Sequence, residues 1–192
     1  MHEQIFCKIF KKLKTKELIR ASLCSALTNF IFQKNIKLFK IYMRYPYVTD
    51  KALIYVSHAH IIDLEMTDIT NSGLLYLYDA FAINLTGTSI TDAGLSHLKN
   101  VQIINLSNMT ITEKGLSYLD DSYIICIQNT NISCKGLKEF KNRNPNTIIK
   151  VSGNYNIFKH MYKFNIVNKK KIHKDEVKDT CKSCESCDTC KK

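Results

Sequence analysis

From Ile62 to Phe140 the apolar residues recur at an interval of 21 without a gap. Leu64, Leu85, Leu106 and Ile127 form one row, and Ile62, Ile83, Ile104 and Ile125 form another two residues earlier. Ile69, Ile90, Ile111 and Ile132 lie five residues after the first row. Gly73, Gly94, Gly115 and Gly136 follow, each directly before Leu74, Leu95, Leu116 or Leu137, and Leu77, Leu98, Leu119 and Phe140 close the units. Upstream, Ile41, Met43, Val48, Leu53 and Val56 occupy the same rows, with Ala52 where the later units have glycine. Downstream, Thr147 to Val151 reads as one more strand, arriving about three residues late after Asn144-Pro145-Asn146. The period predicts five repeats and a terminal strand.

Within a unit, Ile-x-Leu predicts a short strand whose two apolar side chains face the same way, because strand side chains alternate. The next apolar residue turns the chain inward again. Thr70, Thr91, Thr112 and Ser133 then stand where a hydroxyl caps a helix N-terminus. Asp92 and Glu113 follow two of these caps, where a carboxylate suits the positive end of a helix dipole. Gly-Leu-x-x-Leu predicts two apolar residues on one helical face. A single unit cannot bury its apolar side, but stacked units can. Each buried Leu or Ile contributes roughly 1.5–3 kcal/mol, so the rows are core. Recognition must then fall to the residues between them.

Ahead of the array, Ile5, Phe6, Ile9, Phe10 and Leu13 recur at helical spacing, with Lys8, Lys11 and Lys12 on other faces. Leu18, Ile19, Ser22, Leu23 and Leu27 form a second helical stretch, and Ile36, Leu38 and Phe39 a third apolar group. About three short helices are therefore expected directly before the repeats.

The repeat resembles the leucine-rich-repeat family, and most closely its cysteine-containing subclass. Ile90-Thr91-Asp92-Ala93-Gly94-Leu95 matches that subclass directly, and the resemblance covers about residues 41–157. The opening segment resembles an F-box over about residues 1–43. Met1 to Leu13 align without a gap, and Glu17-Leu18 and Ser22-Leu23-Cys24 follow the family's second block. Leu38-Phe39 stands for its Leu-Trp pair. The chain departs from the family at Met1-His2 in place of Leu-Pro, and at Gln4 in place of Glu. The bland alternative is a helical cap, which any repeat array needs.

Together the resemblances imply an α/β leucine-rich-repeat solenoid of about five 21-residue repeats preceded by a small F-box-like helical region. The expected divisions are 1–40 for that region, 41–157 for the repeats and 158–192 for a basic, Cys-rich, disordered tail. The F-box resemblance implies docking onto a Skp-type linker protein, and through it onto a cullin-RING ubiquitin ligase. Ile5, Phe6, Ile9, Leu18, Leu23 and Cys24 would be the docking residues. The repeats would choose a protein substrate on a concave strand face. The residues pointing outward there would be Tyr42, Asp63, Asn84, Asn105 and Cys126, with Arg44, Glu65, Thr86, Ser107 and Gln128 two positions on. Lys40, Ile61, Ala82, Ile103 and Ile124 precede each strand core, and Ile103 and Ile124 are either an apolar contact or covered by the chain's own C-terminal segment.

Charge refines this picture. The net charge of +11 is concentrated at the ends: residues 1–40 hold 9 Lys/Arg against 2 Asp/Glu, and 159–192 hold 10 against 5. The stretch between, 41–158, holds 9 against 10. A nucleic-acid domain would concentrate positive charge on its folded surface, so nucleic acid is not favoured. A third reading, a membrane- or nucleic-acid-associated protein using its two basic ends, stays open. No apolar run approaches the ~18 residues needed to cross a bilayer. No signal-peptide layout opens the chain, so its scattered cysteines read as reduced thiols in a cytoplasmic or nuclear setting. No catalytic constellation stands out, which predicts neither enzymatic activity nor a small-molecule substrate.

Near the end, Cys181, Cys184, Cys187 and Cys190 are spaced three apart. Four thiolates suit tetrahedral zinc or soft copper(I). Zinc domains usually separate two such pairs by a longer loop, and nothing apolar lies within this run. A tail without bound metal, a metal site and lipidated cysteines beside basic residues are the three alternatives.

Overall fold

The computed structural model describes residues 40–44 and 48–151, together with Glu17. Six three-residue strands form one parallel sheet in sequence order: β1 Lys40–Tyr42, β2 Ile61–Asp63, β3 Ala82–Asn84, β4 Ile103–Asn105, β5 Ile124–Cys126 and β6 Ile148–Lys150. The register is the sequence period itself. Ile41 pairs with Ile62, Ile62 with Ile83, Ile83 with Ile104 and Ile104 with Ile125. Ile125 pairs with Ile149, so the last coil absorbs the three extra residues.

Each strand returns to the next through a short helical segment on the other side. These segments are α1 Asp50–Leu53 running into a 3-10 turn at Ile54–Val56, a 3-10 stretch at Asn71–Leu77, α2 Asp92–Leu95, α3 Glu113–Leu116 and α4 Cys134–Arg143. α2 and α3 have four residues each and the helical stretches of the first two coils seven, because a 21-residue coil leaves little room for more. The 3-10 form at Asn71–Leu77 keeps Leu74 and Leu77 on one side, since residues three apart eclipse in that geometry. The longer last coil has room for the ten residues of α4.

The predicted rows close into one core between strands and helical segments. Leu64, Leu85 and Leu106 are fully buried in one column, and Leu74, Leu77, Leu95, Leu98, Leu116 and Leu119 pack from the helical side. Ile41, Met43, Val48, Leu53 and Val56 of the first coil join them. The result is an α/β, solenoid-like stack of parallel coils, each shielding the apolar side of the next. Apart from Glu17 and Lys40, the F-box-like region 1–40 lies outside the described residues, as does the tail from residue 152.

The caps differ in part from expectation. Thr70, Thr112 and Ser133 each accept a backbone N–H of their own helical segment. Thr91 makes no such bond; its hydroxyl instead accepts from Nδ2 of Asn71, 2.8 Å away in the previous coil. Asp92 and Glu113 stand in the first turns of their own helices, as expected, and also reach into the following coil. Asp92 accepts from N and Oγ1 of Thr112 at 2.9 and 2.6 Å. Glu113 accepts from N and Oγ of Ser133 at 2.8 and 2.5 Å. Asp50 holds Thr70 in the same way, at 2.8 and 2.6 Å. A row of polar clasps thus runs up the stack, and it accounts for the regular spacing of glycines: a Cβ at Gly115 would sit on the Asp92 carboxylate, and one at Gly136 on Glu113.

Candidate functional site

Alternation along three-residue strands turns the residues on either side of the central Ile away from the main core. Direction does not ensure exposure. Of the expected contact residues, Asp63, Asn84, Thr86, Asn105, Ser107 and Cys126 are buried. Ile61, Ala82, Ile103, Ile124 and Ile148 are buried too, in a second apolar cluster with Cys126, against which Phe81 and Tyr123 pack. The middle of this face is therefore not the open, mixed surface expected. Adjacent strands lie only about 4.8 Å apart, so side chains in a row cover one another.

The polar members of the row are also satisfied locally. Oδ1 of Asn84 accepts from N and Oγ1 of Thr86 at 3.1 and 2.6 Å. Oδ1 of Asn105 accepts from N of Ser107 at 3.1 Å. Oδ1 of Asp63 accepts from N of Glu65 at 3.2 Å. Each is a side chain closing a turn on its own backbone two residues on. Their oxygens hold the bend after the strand. Cys126 takes the same position without such an oxygen. Burial pushes its thiol up to about 12, against a smaller pull downward from Lys150. It is a packed thiol rather than a thiolate at neutral pH.

The face opens at its N-terminal end. Asp63 is 0% exposed, yet both its oxygens are engaged. Nε and Nη2 of Arg44 donate to Oδ2 of Asp63, and Nδ2 of Asn84 donates to Oδ1 at 3.0 Å. Nη2 of Arg44 also lies 3.1 Å from Oε2 of Glu65, to which Asn84 Nδ2 donates at 3.3 Å. A buried carboxylate needs such partners. Here they fix a half-exposed guanidinium and a half-buried carboxylate beside Tyr42, which is 41% exposed. Gln128, partly buried, is the other expected contact residue with some access to solvent.

The helical side of the first two coils carries side chains that the repeat reading passed over. Ile54, Tyr55, Leu75, Tyr76 and Tyr78 are exposed there. His58 Nδ1 lies 3.3 Å from Asp79 Oδ2, and its ring meets that of Tyr78 edge-on at 6.2 Å. The available signal was composition within the period: positions that are Ser96 and His97 in the third coil are Leu75 and Tyr76 in the second and Ile54 and Tyr55 in the first.

Ile5, Phe6, Ile9, Leu18, Leu23, Cys24 and the cysteines Cys181, Cys184, Cys187 and Cys190 lie outside the described residues. Among the described residues, no group of three or more His, Cys, Asp and Glu side chains is placed to hold a metal ion. No helix among them is long and apolar enough to cross a membrane.

No family model matches the chain, and no curated protein does. Among solved structures it is similar to the TLR13–ssRNA13 complex, at 18% identity and a TM-score of 0.41, over 59% of this chain and 17% of that one. The chain thus spans less than a fifth of the length of that structure's chain.

Proposed function

We propose that the chain is a protein-binding substrate adaptor of a Skp/cullin/F-box ubiquitin ligase. Residues 1–43, which resemble an F-box, dock a Skp-type linker protein, and the coiled array receives a protein substrate. The chain performs no chemistry of its own: it raises the effective concentration of the substrate near a ubiquitin-loaded enzyme held elsewhere.

The observation that supports the substrate-binding part of the reading is the charged end of the sheet. Arg44 and Glu65 are held in place by a fully buried Asp63 and by Asn84, with Tyr42 exposed on the same coil as Arg44, directly after the F-box-like segment. A pre-set aromatic and charged cluster suits selection of a protein surface, where complementary charge steers encounter and sets specificity. The second reading is a repeat scaffold that binds its partner with no ubiquitin link. It keeps the same surface and assigns residues 1–40 the task of a cap.

Pull-down of a purified Skp-type linker protein by the full chain separates the two. Capture by the wild type, lost in Ile9→Asp and Leu18→Asp variants that keep the wild-type circular dichroism, supports the adaptor. Absence of capture, or capture unchanged in both variants, removes the adaptor reading and leaves the scaffold.

A further inference from the structure

The helical side of the array is unevenly finished. In the first two coils the 3-10 segments place residues three apart on one side. Leu53, Val56, Leu74 and Leu77 turn inward and are fully buried. Ile54 and Leu75 are 53% and 55% exposed, and Tyr55, Tyr76 and Tyr78 flank them on the surface. The same positions in the next two coils are Ser96, His97, Ser117 and Tyr118, of which none ranks among the exposed large apolar side chains. Among the described residues, the exposed apolar surface of the helical side is thus confined to one end.

A buried aromatic side chain contributes roughly 150–250 Å², so five half-exposed large side chains offer on the order of 500 Å². That is the size of the largest apolar patch on a typical monomer, which is often functional. With a polar rim it reaches the roughly 600 Å² per partner at the low end for specific complexes.

The rim carries opposite charges at opposite corners. Exposed Lys51 stands three residues before Ile54, at the leading edge of the first coil. Asp79 stands four residues after Leu75, at the trailing edge of the second coil, beside His58. A two-fold axis lying in the contact plane, midway between these corners, lays Lys51 of one copy against Asp79 of the other, twice over. The same axis sets the aliphatic and tyrosine side chains of one copy on those of its mate. A patch that is apolar at its centre and charge-complementary to itself across its width fits an isologous pair.

We propose that the patch of Ile54, Tyr55, Leu75, Tyr76 and Tyr78 is a homodimer interface whose occupant is a second copy of this chain, with Lys51 and Asp79 paired across it. The contact leaves the Tyr42–Arg44–Glu65 end of the sheet open, because it uses the opposite side of the coils. A dimer would present two such ends at once and bind a bivalent target with increased avidity.

Sedimentation velocity of the full chain across a concentration series, under reducing conditions so that no disulfide contributes, tests this. The expected result is a monomer–dimer equilibrium with a dissociation constant in the range of about 1–100 µM. Leu75→Asp, an exposed position that leaves the core untouched, should abolish the dimer while the circular dichroism stays unchanged. Lys51→Glu alone should weaken it about tenfold or more by setting like charges against each other, and adding Asp79→Lys should restore it. A wild type that stays monomeric throughout overturns the proposal. So does a dimer that survives Leu75→Asp, or one indifferent to both the charge reversal and its exchange.

Discussion

A single left-handed backbone position recurs at the bend after the strand in four successive coils. Met66, Gly87, Asn108 and Asn129 occupy it with φ of 57°, 66°, 58° and 52°. Glycine visits this left-handed region freely and asparagine more readily than most, whereas a residue such as Met bears a cost of about 1–2 kcal/mol there. Gly87 is restricted twice, because the Met66 thioether lies where a Cβ would be. Met66 itself is 63% exposed, so its side chain contributes little packing in return. Met66→Asn should therefore raise stability by about 0.5–1 kcal/mol, read as a higher urea midpoint at unchanged slope. A lower midpoint would show that the thioether's contact with Gly87 outweighs the backbone strain. This column was legible only in part. Gly and Asn share it, but apolar periodicity reports which way a side chain faces and says nothing of φ, and Met66 breaks the pattern in the second coil.

At the scale of elements, the coils are joined by side chains as well as by strand pairing. Asp50, Asn71, Asp92 and Glu113 each hold a Thr or Ser of the next coil by its backbone N–H and its hydroxyl. Three of the four caps and the Gly-Leu pairs could be read within one unit; the clasps could not, because they join residues 20 apart whose partnership only the stacked geometry decides. The Ser133 hydroxyl, then Glu113's own backbone N–H and that of Ser133, hold the Glu113 carboxyl below its ordinary 4.5. A carboxylate depressed in the folded state stabilises the fold above its unfolded value. That contribution is lost as pH falls through the lower folded value. Glu113→Gln keeps an acceptor and a donor for Ser133, as Asn71 does for Thr91, and removes the ionisation. Denaturant midpoints taken from pH 7 to pH 3 should show the wild type losing more stability than the variant below about pH 4.5. Parallel losses would mean that the clasp works equally well when protonated.

For the whole molecule, the stack was legible because one fixed period aligns every apolar row at once, and a parallel sheet in sequence order is what such a period builds. Its outer strand face was less so. Alternation correctly turned Asp63, Asn84 and Asn105 away from the main core, but closeness of neighbouring rows, which no single strand encodes, removed them from solvent. The consequence for stability follows from the column through the centre. Leu85 is fully buried between Leu64 and Leu106, so it belongs to two inter-coil contacts. Leu85→Ala should cost about 2–5 kcal/mol, the range for a buried leucine whose surroundings cannot collapse onto the gap. Such a loss is a large share of the roughly 5–15 kcal/mol that holds a domain together. The chain has no Trp and ten Tyr, so tyrosine fluorescence and far-ultraviolet circular dichroism can follow unfolding in urea together. The two signals should fall in a single transition at a lower midpoint, since coils that share one continuous core cannot lose the central contact separately. Two separated transitions would show that the coils on either side of Leu85 hold on their own. A loss below about 1 kcal/mol would show that the column is not closed around it.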